Sequence, residues 1–69
     1  MSYCLKKDKA LEIKTKYKAS YLVQGIGISK SYISLMLNGK KNCPKRIAYC
    51  VVKFLDNDAE IEDYFDYVD

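Results

Sequence analysis

The stretch Gly27–Lys41, GISKSYISLMLNGKK, decides the fold. Gly27 reads as a tight turn, where a positive φ is easiest for glycine. Ser29 then opens a short helix, because its hydroxyl can accept from the free backbone N–H groups of a helix start. Asn38-Gly39 closes it, since glycine just past the last periodic residue is the usual stop. Ile33, Met36 and Leu37 lie three and four apart and share one face; with Ile28 they are assigned to the core. Lys30, Ser31 and Ser34 fall elsewhere on the helix and are short, polar or basic. A helix with an apolar back and such residues over its first turn can enter a DNA major groove N-terminus first.

Upstream, a second helix is expected from about Lys18 to Ile26. Leu22 and Ile26 give an i, i+4 apolar pair with Val23 beside them. Tyr17 precedes it, placed to pack back on the core like a hydrophobic staple. Gly25 inside this helix costs about 1 kcal/mol against Ala, and close approach of the third helix would be a packing reason for it. The first segment, about Ser2 to Lys16, is assigned as helix. Its apolar residues, Cys4, Leu5, Ala10, Leu11 and Ile13, form no clean stripe, and five lysines make it basic.

Downstream lies a basic loop, Lys40-Lys41-Asn42-Cys43. Pro44 suits the first position of a fourth helix, where its missing N–H costs nothing. Ile47, Val51, Phe54 and Leu55 make an apolar stripe on that helix, bordered by Cys50. Asn57 or Asp58 is the expected cap of a fifth helix over about 58–68, with Glu60 three residues after Asn57 as in a capping box. Ile61, Tyr64, Phe65 and Val68 recur at helical spacing, and the outer face is almost wholly acidic. One Pro and three Gly favour an all-helical reading. Beyond Val51-Val52 no stretch has strand character.

Sixty-nine residues make one small domain. Such a chain buries only about 60% of its unfolded surface, so either its helices pack well or a partner subunit adds apolar area. Cys4, Cys43 and Cys50 have no CxxC spacing, and the chain has no His, which excludes a mixed Cys/His zinc site. Reduced thiols and no metal are the expectation. No apolar run reaches the ~18–20 residues of a membrane span, and the N-terminus has no signal-peptide core. A soluble, cytoplasmic protein is therefore expected.

The net charge of +3 hides an asymmetry. All 12 Lys and Arg precede residue 54, where Asp8 and Glu12 are the only acids. From Phe54 onward there is no base, and Asp56, Asp58, Glu60, Glu62, Asp63, Asp66 and Asp69 are acidic. A basic body suggests a polyanion partner. With no His, no Gly-rich phosphate loop and no nucleophile with a base nearby in sequence, neither an enzyme nor a cofactor is expected.

Helix, glycine turn, Ser-capped helix, then Asn-Gly and lysines resembles the helix-turn-helix of the Cro/phage-repressor type, the XRE family. The resembling runs are LVQGIGISKSYIS, from Leu22 to Ser34, and NGKK, from Asn38 to Lys41. The likeness covers about Tyr17 to Leu55, with the helix-turn-helix itself at about 18–38. Three positions depart from the family pattern. Val23 stands where the family usually has Ala, Ala19 where it often has a phosphate-binding Gln, and Leu35 is a large apolar residue on the expected groove side.

The resemblance implies an all-α, compact five-helix domain of the lambda-repressor-like type over residues 1–69. It places Ser29, Lys30 and Ser31 at base edges, with Ser34 one turn on reaching a base or a phosphate. Leu35 would meet a thymine methyl or a protein. Tyr32 would lie on the sugar-phosphate backbone. Lys18, Ala19 and Ser20 would aim backbone N–H groups at a phosphate, and Asn38, Lys40 and Lys41 would grip the backbone beyond. Lys45 and Arg46 oppose the dipole of the fourth helix, which hints at phosphate contact. The implied function is a sequence-specific repressor, dimeric on a pseudo-palindromic operator with half-sites about 34 Å apart. The fifth helix with Tyr67 and Val68, or the fourth–fifth corner, would be the dimer surface. The competing reading is an antirepressor or antitoxin-like module that binds a protein through the acidic C-terminal helix.

Overall fold

A computed structural model describes residues 2–68. In chain order it contains β1 (Ser2–Leu5), α1 (Lys7–Lys16), α2 (Ala19–Ile26), α3 (Lys30–Leu37), α4 (Lys45–Leu55), α5 (Ile61–Tyr64) and β2 (Phe65–Val68). The fold is helix-rich but mixed α/β, not all-α. The two ends of the chain pair as an antiparallel ladder, Ser2 with Val68, Tyr3 with Tyr67, Cys4 with Asp66 and Leu5 with Phe65.

Two expected helices are cut short by this ladder. The first begins at Lys7, because Ser2–Leu5 is strand. Only Ala10 and Ile13 of α1 are buried and Leu11 points into solvent, which is why its apolar residues make no stripe. The fifth helix, expected over 58–68, spans only Ile61–Tyr64. Ile61 and Tyr64 are buried one turn apart, as the helical spacing requires. Phe65 then enters the core as the first residue of a strand, opposite Leu5. Phe, Tyr and Val suit a pleated, half-buried surface, and their pairing across the whole length of the chain overrides the helical period.

The expected cap at Asn57 or Asp58 is also displaced. Asp56 instead accepts from the Asp58 N–H at 3.1 Å and turns the chain. Glu60 caps α5, and Asp63 accepts from the Glu60 N–H at 2.9 Å. Pro44 is the residue before α4 rather than its first residue.

The helix-turn-helix segment closes as its residues require. Gly27 follows α2 with φ 84°, and Ser29 Oγ accepts from the Tyr32 N–H at 3.1 Å. Asn38 ends α3, with Gly39 at φ 71°. Leu22, Ile33, Met36, Val51, Val52, Ile13 and Phe65 fill the core, with Ile28, Leu37 and Tyr17 packed at its margin. Tyr17 stacks on Tyr21 of α2, ring centroids 5.6 Å apart. Gly25 does answer a close approach, but of Phe54 on α4 rather than of α3. The loop before α4 is tied to β1, since Tyr3 and Cys43 exchange both backbone hydrogen bonds, at 2.7 and 2.8 Å. No helix among the described residues is long and apolar enough to cross a membrane.

Candidate nucleic-acid interface

Lys30, Ser31, Ser34 and Leu35 line one shallow depression of about 450 Å³ on the outer side of α3. All four are exposed, Leu35 to 42% despite its apolar side chain. The helix presents them because Ile33 and Met36 bury its opposite face against the core. A basic head, two hydroxyls and an aliphatic wall in one hollow offer hydrogen bonds to base edges and an apolar seat for a methyl group. Ser29 stands at the same helix start, with its oxygen committed to the cap.

The start of α2 forms a second hollow, about 490 Å³, lined by Lys16, Tyr17, Lys18, Ser20, Tyr21 and Gln24. Lys18 is the cap residue and makes no side-chain cap bond, so the first-turn N–H groups of Ala19 and Ser20 have no such acceptor. Sequence reasoning points to Lys18, Ala19 and Ser20 but passes over Lys16 and Gln24. Their signal is only their spacing around a helix start.

Other candidate residues are more occupied. The Asn38 amide donates to the Ser34 carbonyl at 2.8 Å and its oxygen accepts from Lys14 Nζ at 2.8 Å, so this side chain braces α3 against α1. Tyr32 is half-buried, with its hydroxyl against the Cys43 thiol and Lys41 Nζ 5.3 Å from its ring centre. Burial first, then the Cys43 thiol, push the Tyr32 phenol up to about 12. Burial likewise raises the Cys43 thiol. Tyr32 thus fastens α3 to the loop that carries Lys40 and Lys41.

A phenol whose pKa is raised on folding stabilises the fold until the unfolded chain ionises. That contribution is lost as pH climbs from about 10, the ordinary tyrosine value, towards 12. In an ultraviolet titration of the native protein, a phenol ionising at about 12 is expected, and Tyr32→Phe should remove it. Persistence of that component in Tyr32→Phe would place it on another tyrosine.

Lys40, Lys41, Lys45 and Arg46 are exposed, and α4 has no acid in its first turn. The ion pairs among the described residues are Lys6–Asp66, Lys9–Glu12 and Lys16–Glu12. None of them engages Lys18, Lys30, Lys40, Lys41, Lys45 or Arg46. The described residues contain no group of side chains able to hold a metal ion, and all three thiols are free. No family model, no curated protein and no solved structure matches the chain.

Proposed function

We propose that this protein is a sequence-specific DNA-binding regulator of the Cro/phage-repressor kind, which blocks transcription by occupying operator DNA as a dimer. The observation that carries this reading is the hollow of Lys30, Ser31, Ser34 and Leu35 on a Ser-capped helix held after a glycine turn. Lys30 donates to guanine O6 and N7, the serines adapt to either partner, and Leu35 covers a thymine methyl. The uncapped start of α2 and the unpaired lysines of the loops take phosphates.

The protein-partner reading relies on an acidic helical face over 58–68. That face is not formed: α5 carries only Glu62 and Asp63, and the remaining acids lie in a turn, at a cap and on a strand. No observation favours it over DNA.

The test is binding to the DNA flanking the protein's own gene at about 50 and 200 mM salt, against random competitor. Specific binding should survive competitor, with log affinity falling by about 0.9 per phosphate neutralised for each log of salt. The double substitution Lys30→Ala, Ser31→Ala should leave the fold intact and weaken operator binding by about 1–3 kcal/mol for each base that is no longer read. Unchanged affinity in that variant would remove these residues from the interface.

A further inference from the structure

Ser34 is tied into a line of hydrogen bonds that runs from α1 to the reading face of α3. Lys30, Ser34 and Asn38 fall at i, i+4 and i+8, one row along that helix. Asn38 Nδ2 donates to the Ser34 carbonyl at 2.8 Å and approaches the Ser34 hydroxyl oxygen at 3.5 Å. Its Oδ1 accepts from Lys14 Nζ at 2.8 Å. Both ends of the amide are fixed by partners that cannot reverse their roles. An ammonium only donates, so it holds the amide oxygen; a carbonyl only accepts, so it holds the amide nitrogen. Lys14 therefore keeps the Asn38 N–H groups aimed at Ser34. Thr15 shows the usual alternative for a helical hydroxyl, donating back to the Leu11 carbonyl at 2.8 Å. Ser34 makes no such bond among the described residues, so its proton stays available on the outside of α3.

We infer that Lys14 and Asn38 are positioning residues that turn Ser34 into a hydrogen-bond donor, so that the α3 hollow selects guanine at the base facing Ser34. A serine hydroxyl ordinarily adapts to either partner, as Ser31 can; Asn38 takes that freedom from Ser34. With an amide N–H on its oxygen, the group that Ser34 turns outward is its O–H. Guanine offers two acceptors in the major groove, O6 and N7, whereas cytosine offers only its amino donor. A cytosine amino group brought to Ser34 would meet an oxygen that already faces Asn38, beside the ammonium groups of Lys30 and Lys14. Lys14, Ser34 and Asn38 are exposed, so water competes with this line in the free protein. A duplex seated on the hollow displaces that water and strengthens each bond. The inference rests on the operator reading and narrows it: a lysine of α1, outside the helix-turn-helix, sets which base the recognition helix accepts.

The test is selection by the full chain from a duplex library randomised over about 20 base pairs, two helical turns. The base that faces Ser34 is the one whose preference Ser34→Ala erases. Wild type should favour guanine over cytosine there by about tenfold or more, within the discrimination of one base contact. Asn38→Asp keeps an acceptor for Lys14 and replaces the amide donor with a second acceptor. Ser34 then gives its proton to the new carboxylate, and the preference at that position should turn to cytosine. Lys14→Met removes one of the two anchors of the amide and should lower the guanine preference severalfold, and Lys14→Arg should restore it. A Lys14 that only supports the fold would weaken binding to every duplex alike. Circular dichroism checks folding, and Lys14→Met carries the test should Asn38→Asp unfold. A wild-type preference for cytosine, a Ser34→Ala variant with every preference intact, or a guanine preference unchanged in Asn38→Asp or in Lys14→Met would each overturn the inference and leave sequence-specific binding standing. So would a Lys14→Met variant whose only change is a salt slope smaller by about 0.9, the mark of a lost phosphate contact. A library from which wild type enriches no sequence would overturn the operator reading and this inference together.

Discussion

Phe65→Ala should cost about 3–5 kcal/mol, the range for deleting a buried phenyl ring and leaving a cavity. Phe65 is 2% exposed and is the largest of the fully buried side chains. It faces Leu5, which is 5% exposed, across the ladder that joins the two ends of the chain. A domain of 69 residues holds about 0.05–0.15 kcal/mol of stability per residue. The loss is therefore comparable with the whole margin, and at about 4–8 °C per kcal/mol the midpoint should fall by more than about 12 °C. Thermal and urea denaturation followed by circular dichroism would measure it.

Val68→Ala is the informative control. As the last residue of a strand, Val68 is half-buried and lies on the opposite face from Phe65. Its truncation should cost less than about 1.5 kcal/mol, since only part of its transfer energy is at stake. On a helix over 58–68, Val68 would instead share the apolar face of Ile61, Tyr64 and Phe65. A Val68→Ala cost equal to that of Phe65→Ala would restore the helix.

The contrast shows where the sequence is legible. Local chemistry reads directly: Gly27 takes the left-handed turn, Ser29 caps α3, and Ile33 and Met36 are buried because they repeat at the helical period. Lys30, Ser31, Ser34 and Leu35 fall together on the outer face for the same reason, as one helix fixes their relative directions. The strands do not read this way. SYCL and FDYV are four residues each, too short for an alternation to stand out, and their partners lie at opposite ends of the chain. Ile61, Tyr64, Phe65 and Val68 fit a helical stripe, yet the same residues place Phe65 and Tyr67 on one side of a strand. A long-range pairing chooses between two periods that the local sequence leaves nearly equal. The role of Asn38 is hidden for a similar reason, because the lysine that engages it belongs to α1.

Gly25 supplies the other large effect, one whose sign depends on a single neighbour. In most helices Gly→Ala is stabilising by about 1 kcal/mol. Here a Cβ on residue 25 would overlap Cζ and Cε1 of Phe54 and lie 2.7 Å from Cε2. The ring has little room to yield, since it already rests against Tyr21 with centroids 5.2 Å apart. Gly25→Ala must push the ring outward or part α2 from α4. Overpacking of this kind costs about 1–3 kcal/mol after any gain in helix propensity. Phe54→Ala removes the obstacle, and in that background Gly25→Ala should become stabilising by up to about 1 kcal/mol. The double-mutant cycle should therefore give a coupling of about 2 kcal/mol or more, within the range for residues in direct contact. Urea titration of the four proteins decides the matter. If Gly25→Ala has the same effect with and without the Phe54 ring, the glycine is not there for this contact. If the sign reverses, the glycine that looks like a flaw in α2 is what lets α4 close against it and hold the turn leading into α3.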